Sequence, residues 1–417
     1  MTFGQLLSSI MSMSAFHSLP LPLVQLSLDA VLKCGQSFRW SIFSLAQPSD
    51  ASHEYRLCLR DRVVCLRQTP THLFYRSIYP EPQPSETQTR LRDAETLIWL
   101  KDYFQLDIDL ANLYQEWGNR DKVFLGLRER FLGIRMLRQD PWENLISFIC
   151  SSNNNISRIT KMVQNLCTHY SPALLHIPDP SCPENCVPYH PFPPPSALAQ
   201  PEVSAKLRSL GFGYRADFIQ KTAQMLVETH GSSSEEWLMG LRKETTEQAR
   251  EELLKFMGVG RKVADCVLLM SLDKKEVIPV DTHVHQIAIK HYGLKGTLNG
   301  KKVNMTPKIY EEVNTKLVGV WGDYAGWAHS VLFTSDLKSF SSYGLQTPSP
   351  TPTPSLSPAK ASNKRSRKEY ESIILPTPPL TPQKEYPSAV SDTLLPDMSE
   401  QSLADRVKKR RRGVAQT

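Results

Sequence analysis

Residues 245–292 read TTEQAREELLKFMGVGRKVADCVLLMSLDKKEVIPVDTHVHQIAIKHY, and the spacing within this stretch decides the fold. Thr245 and Gln248 are spaced as a capping box, and Ala249, Leu253, Leu254 and Met257 form an apolar face, which predicts a helix ending near Phe256. Gly258-Val259-Gly260 comes next, and then a second helix over 262–272 that buries Val263, Ala264, Val267 and Leu268. Glycines in such a turn let a phosphate come close, and the open N–H groups at the start of the second helix attract it. The unit can therefore grip a nucleic-acid backbone without reading sequence. Taken alone, Gly-x-Gly between helices is as often an ordinary turn.

The residues after the turn raise the specificity. Lys262 and Cys266 are four apart and share a helix face away from the apolar one. A neutral lysine amine there is a Schiff-base nucleophile, whereas a lone helix lysine is more commonly a solvated charge. Nineteen residues beyond Lys262, Asp281 stands before a predicted helix over 283–291, placed to be its N-cap. Capping and catalysis are compatible roles, because backbone N–H groups hold and aim the carboxylate.

Upstream, residues 36–78 alternate and are β-rich: Ser37 to Ile42, Tyr55 to Arg60 and Val63 to Leu66, with a hairpin at Arg60-Asp61-Arg62. From about Thr87 to Leu337 the pattern is helical, so the body is α+β with the strands first. The stretch 172–201 holds ten prolines and reads as a long inserted loop. Within it Cys182, Cys186 and His190 have metal-like spacing, but three donors in such a loop fall short of a zinc site, and no metal is expected. From Ser341 the chain carries eleven prolines and seven Ser-Pro or Thr-Pro steps, a composition that predicts disorder.

The chain has 417 residues and a formal charge of +7, of which +5 lies beyond residue 340, leaving +2 for the body. Nucleic-acid binding must then come from local groups rather than bulk charge. Eight scattered cysteines make no disulfide framework and suit a reducing compartment. The first thirty residues have no Lys or Arg, so neither a secretory nor a mitochondrial leader is expected there, although Met11 and Met13 are candidate starts for a mitochondrial isoform. No apolar run reaches the ~18 residues of a membrane span.

The sequence closely resembles the eukaryotic 8-oxoguanine DNA glycosylase/lyases of the helix-hairpin-helix superfamily. The likeness rests on GQSFRW from Gly35, SFICSSNNN from Ser147, GFGYR from Gly211, GVGRKVADC from Gly258, PVDTH from Pro279 and YAGWAHSVLF from Tyr324, an ordered set spanning most of the first 340 residues. It implies an antiparallel β domain over 1–120 packed on two mainly helical subdomains over 121–340, with the tail 341–417 outside the resemblance.

The resemblance also implies a mechanism. Duplex DNA bearing 8-oxoguanine opposite cytosine is bent and the damaged nucleotide extruded. Lys262 attacks C1′, Asp281 stabilises charge on the sugar, and the Gly35 carbonyl takes the N7–H that guanine lacks. Cys266 and Phe333 sandwich the base, with His329 near its Watson–Crick edge. Asn153, Arg158 and Arg215 face the orphaned cytosine, Tyr214 is a wedge, Gly258 and Gly260 hold the backbone, and His283 contacts a phosphate. Related oxidised purines such as formamidopyrimidines are further substrates, no cofactor is required, and the protein is a monomer.

Two departures stand out. The family commonly has Gln where this chain has His329, which predicts altered base recognition and a changed pH dependence between about pH 5.5 and 8. Met257 stands where the hairpin usually carries Pro. Other superfamily specificities fit less well: iron–sulfur members carry a four-cysteine cluster after the hairpin, and no cysteine comes after Cys266 here. Alkylated-base members lack the hairpin lysine, and a non-catalytic damage-binding protein need not keep Lys262 and Asp281. The clusters Lys364-Arg365-Ser366-Arg367-Lys368 and Lys408-Lys409-Arg410-Arg411-Arg412 are of the nuclear-import type, although a flexible basic tail would also attract DNA nonspecifically. Import is favoured for the second, which makes an import receptor a partner and the nucleus the expected location.

Overall fold

The computed structural model describes residues 15–45, 51–295 and 305–345. The predicted disorder beyond 345, both basic clusters, Met11 and Met13 lie outside the described residues.

Strands β1 (His17–Pro20), β2 (Ser41–Ser44), β3 (His53–Cys58), β4 (Val63–Gln68) and β5 (His72–Ile78) make an antiparallel sheet in the order β1-β5-β4-β3-β2. The expected hairpin joins β3 to β4 and sets Leu57 against Val64 and Tyr55 against Leu66. Alternation places Tyr55, Leu57, Val64, Leu66, Leu73 and Tyr75 on one face. They form a core with the short helix α1 (Leu28–Val31) and with Leu100 and Tyr103 of α2 (Glu86–Tyr103). Ser37 to Trp40 do not join the sheet as expected, because Phe38 is drawn into a helical core.

The other sheet face explains the proline-rich stretch. Glu54, fully buried, is gripped by Arg56 at 2.6 Å and Arg67 at 2.6 Å, with Arg76 at 3.8 Å. Burial alone would push its carboxyl up, but the guanidinium groups of Arg56 and Arg76 hold it below the usual carboxylate range. This charged face carries a cover that also supplies hydrogen bonds, which ion pairs require once they are shut off from water. Residues 172–201 supply it. Rather than a plain loop they form a ribbon of β6 (Leu175–Pro178) and β7 (Cys186–Tyr189), followed by α7 (Pro195–Leu198). Ile177 and Tyr189 close over Cys58, Val63 and Cys65, and Arg56 donates to the Pro178 carbonyl at 2.8 Å. A two-stranded ribbon accepts prolines because both its strands are edges.

The helices make two cores. The first gathers α5 (Pro141–Ser151), α6 (Ile156–Tyr170), α8 (Val203–Ser209), α9 (Arg215–His230), α10 (Ser234–Gly240) and α11 (Thr246–Leu254). The second gathers α3 (Leu110–Arg120), α4 (Lys122–Leu127), α13 (Thr282–Tyr292), α14 (Pro307–Trp321) and α15 (Ala325–Asp336). Helix α12 (Arg261–Ser271) is shared, giving Val263, Ala264, Val267 and Leu268 to the first and Leu269 to the second. The cores therefore cut across chain order: α3, before residue 120, packs with the last helices. Packing also continues past residue 340, where Tyr343 stacks on Phe131 and its hydroxyl lies 3.0 Å from Ser27 Oγ. Among the described residues no helix is long and apolar enough to cross a membrane.

Candidate active site

Residues 245–292 take the expected helix–turn–helix path, but Leu254 and Met257, expected on the apolar face, are exposed, and Cys266, expected away from it, joins the first helical core. The Thr245–Gln248 capping box forms at the start of α11, and Asp281 caps α13 by accepting from Val284 N at 3.0 Å. Between α11 and α12, Gly258 has φ +80°, and a Cβ there would stand 2.5 Å from the Phe218 ring. Both facts require glycine. Thr222 Oγ1 donates to the Met257 carbonyl at 2.9 Å, so the turn is tied to α9 without the proline the family usually has. Gly260 occupies the N-cap of α12 with no capping side chain.

Lys262, in the first turn of α12, is half-buried. Its Nζ lies 3.3 Å from Ser151 Oγ and 5.0 Å from the centroid of the Phe148 ring. One turn on, Cys266 is buried; burial pushes its thiol up to about 11 against the pull of the neighbouring Lys262 ammonium. It is thus a neutral thiol at physiological pH, able to present a soft flat contact rather than a competing nucleophile.

His329 on α15 completes this side. It is 7% exposed, and neither ring nitrogen has a hydrogen-bond partner. Burial drives its pKa down to about 4, with Asp281 pulling it up and Lys262 pushing it down. The imidazole is therefore already neutral across pH 5.5–8, and a titration in that window, expected from sequence, is displaced below it by burial. Phe333 lies 6.0 Å from His329 and 6.2 Å from His283, ring to ring, and His283 Nδ1 is 3.4 Å from Asp336. Gly35 has φ +87° and faces Ile156, which a Cβ would approach to 2.9 Å. Its loop is clamped by Gln36, which donates to the Arg135 carbonyl at 3.1 Å and accepts from Leu137 N at 2.9 Å.

The turn after α5 separates these groups from a second set. Asn153 has φ +48°, Asn154 donates to the Cys150 carbonyl at 2.9 Å, and Asn155 caps α6. Arg215 is buried beneath the turn and spends its guanidinium on the carbonyls of Ser152 and, at 3.1 Å, Asn153. The exposed Tyr214 ring lies 4.5 Å from that guanidinium, with its hydroxyl donating to Ser152 O at 3.1 Å. Arg158, exposed, reaches the Gly211 carbonyl at 3.1 Å.

The structure thus joins Lys262, Cys266, Asp281 and His329 with Phe333 and His283, and puts Asn153, Tyr214 and Arg215 around the next turn. Phe148 and Ser151 escaped the sequence reading as partners of Lys262. They were legible as neighbours three apart on one helix face of SFICSSNNN. Among the described residues no cluster of three or more His, Cys, Asp or Glu could hold a metal, and His190 Nδ1 instead lies 2.8 Å from the Ser171 carbonyl.

Comparison with known proteins identifies the family and the fold. Residues 18–145 match the profile of the 8-oxoguanine DNA glycosylase N-terminal domain, and residues 146–312 that of the HhH-GPD superfamily of base excision DNA repair proteins. The N-glycosylase/DNA lyase of Saccharomyces cerevisiae is 36% identical over 340 residues, covering 77% of this chain and 86% of the relative. The Arabidopsis thaliana N-glycosylase/DNA lyase OGG1 is 37% identical over 318 residues, covering 75% and 78%. The fold is like that of Clostridium acetobutylicum 8-oxoguanine glycosylase/lyase crystallised with duplex DNA containing cytosine opposite 8-oxoguanine. There the TM-score is 0.58 at 24% identity, covering 77% of this chain and 97% of that one.

Proposed function

Because the chain belongs to the 8-oxoguanine N-glycosylase/DNA lyase family, we propose that it excises 8-oxoguanine, and related purines such as formamidopyrimidines, opposite cytosine and then nicks the abasic strand. The observation that carries this reading is the convergence of Lys262 with Asp281, Cys266 and a neutral, unpartnered His329 at one end of α12. The extruded base sits between Cys266 and Phe333, its N7–H donated to the Gly35 carbonyl. Deprotonated Lys262 Nζ forms a bond to C1′ as the C1′–N9 bond breaks, and the departing base carries off the electron pair and takes a proton. Asp281 stabilises the positive charge that develops on the sugar. Opening of the ring leaves a covalent imine, and loss of a C2′ proton expels the 3′ phosphate by β-elimination.

The N7–H contact distinguishes 8-oxoguanine from guanine by only about 1–3 kcal/mol, so the shape of the pocket must contribute the rest. Asn153, Arg158 and Arg215 supply donors for the orphaned cytosine, Tyr214 replaces the lost stack, and Gly258, Gly260 and His283 hold the backbone. The enzyme works as a monomer without a cofactor. The basic clusters at 364–368 and 408–412 direct it to the nucleus through an import receptor; deleting them disperses the protein, and continued nuclear accumulation refutes the assignment.

Borohydride trapping tests the chemistry. A duplex with 8-oxoguanine opposite cytosine gives a covalent adduct with the wild type and none with Lys262→Gln. Absence of an adduct, or one that survives the substitution, overturns the lyase reading. Cleavage of duplexes with 8-oxoguanine opposite each normal base checks the cytosine preference.

A further inference from the structure

A chain of buried hydrogen bonds links the helix of Lys262 to the segment of Asp281. Asp265, one turn along α12 from Lys262, has a side chain only 1% exposed. One carboxylate oxygen accepts from Arg250 Nε at 2.7 Å; the other accepts from the Tyr310 hydroxyl at 2.6 Å. That hydroxyl in turn accepts from Val280 N at 2.9 Å, and Val280 immediately precedes Asp281. Asn314, one turn further along α14, donates its amide to the Ile278 carbonyl at 3.2 Å. The Arg261 guanidinium lies 4.4 Å from the Tyr310 ring centroid and pairs with Glu311 at 2.9 Å.

The geometry fixes who donates. Val280 N–H can only donate, so the Tyr310 oxygen accepts from it and directs its one hydrogen to Asp265 rather than to the more distant Ile278 carbonyl at 3.4 Å. Burial beside Asp265 keeps the phenol protonated. Ile278 and Val280 are buried, so this amide has no water to turn to if the hydroxyl is removed.

We infer that Asp265 and Tyr310 are positioning residues that set the Asp281 carboxylate relative to Lys262 through the Val280 amide. Neither touches the reacting atoms, and the inference rests on the proposed catalytic roles of Lys262 and Asp281. A displacement of the carboxylate by a fraction of an ångström matters because charge stabilisation depends on preorganised distance.

The test is a double-mutant cycle in the full-length enzyme. Tyr310→Phe lowers the single-turnover excision rate on an 8-oxoguanine:cytosine duplex about tenfold. Affinity for a duplex containing a tetrahydrofuran abasic analogue changes less than about twofold. In an Asp281→Asn background the same substitution shifts the rate by less than about twofold, because the carboxylate it aims is gone. An unchanged rate in the wild-type background overturns the inference. So does an undiminished tenfold loss in the Asp281→Asn background, or a fall in affinity matching the fall in rate. If Tyr310→Phe does not fold, the isosteric Asp265→Asn is read by the same cycle. Failure of wild-type borohydride trapping would instead strike the catalytic reading, so the two failures are distinguishable.

Discussion

The two sides of the turn at residues 151–155 are built on opposite terms. On the Lys262 side, His329 is buried with both ring nitrogens unpartnered, and Cys266 is a buried neutral thiol. On the Arg215 side, the guanidinium already serves the Ser152 and Asn153 carbonyls, and the Tyr214 hydroxyl is bonded to the same turn. A buried polar atom without a partner is costly unless a ligand supplies one, so the first side holds open hydrogen-bonding capacity that a ligand can fill. The second is satisfied by itself, so the proposed contact with a cytosine would require it to exchange internal bonds.

The largest effect that sharpens this contrast comes from Asp281→Asn. Asparagine caps a helix as well as aspartate does, so the thermal midpoint moves by less than about 2 °C. The excision rate falls about 10² to 10³-fold, because the charge facing the sugar is lost. Single-turnover kinetics beside a melting curve check both; a large loss of stability would mean that the cap, not the charge, matters.

Arg215→Ala addresses the other side. Removing the guanidinium strands the Ser152 and Asn153 carbonyls, which costs about 2 kcal/mol in urea unfolding. Discrimination for cytosine over adenine opposite the lesion falls as well. Unchanged discrimination with lost stability would reduce Arg215 to a strut. Gly35→Ala has a smaller and narrower effect. Placing Ala at φ +87° costs about 1 kcal/mol, and the displaced carbonyl lowers 8-oxoguanine excision about tenfold. Strand cleavage at a preformed abasic site, which has no base to recognise, stays at the wild-type rate; a parallel loss there would break the assignment of Gly35 to the base.

How much of this was legible in the sequence depended on the range of the interaction. Caps and turns are local: Thr245 with Gln248, Asp281 before its helix and Gly258 in its turn announce themselves within a few residues. The cover over Glu54 does not. Its parts, Arg56 and Tyr189, lie 133 residues apart, and a proline-rich composition conceals a ribbon whose order comes from the sheet beneath it. Arg215 shows a third case. The family resemblance assigned it a partner outside the chain, while its burial commits it first to carbonyls of the chain. Tyr310 bonding to Asp265 was invisible because a phenol in an amphipathic helix has no sequence mark of the amide it will meet.

The smallest effect at neutral pH, and the most diagnostic of the first side's dryness, is that of His329→Gln. With the folded-state pKa near 4, below the ordinary 6.5, the folded protein prefers the neutral imidazole. Its contribution to stability is therefore complete above about pH 6.5 and declines as pH falls toward 4, at up to about 1.4 kcal/mol per pH unit. Glutamine carries no proton, so the thermal midpoint of the wild type should drop more than that of His329→Gln between pH 7 and 4.5. Excision rates of the two should run parallel from pH 5.5 to 8 and differ by less than about threefold, since both residues can accept a hydrogen bond from the base. Profiles that diverge between pH 6 and 8 would place the imidazole in water, and the contrast between a dry, open-valence side and a self-satisfied one would fail at its central residue.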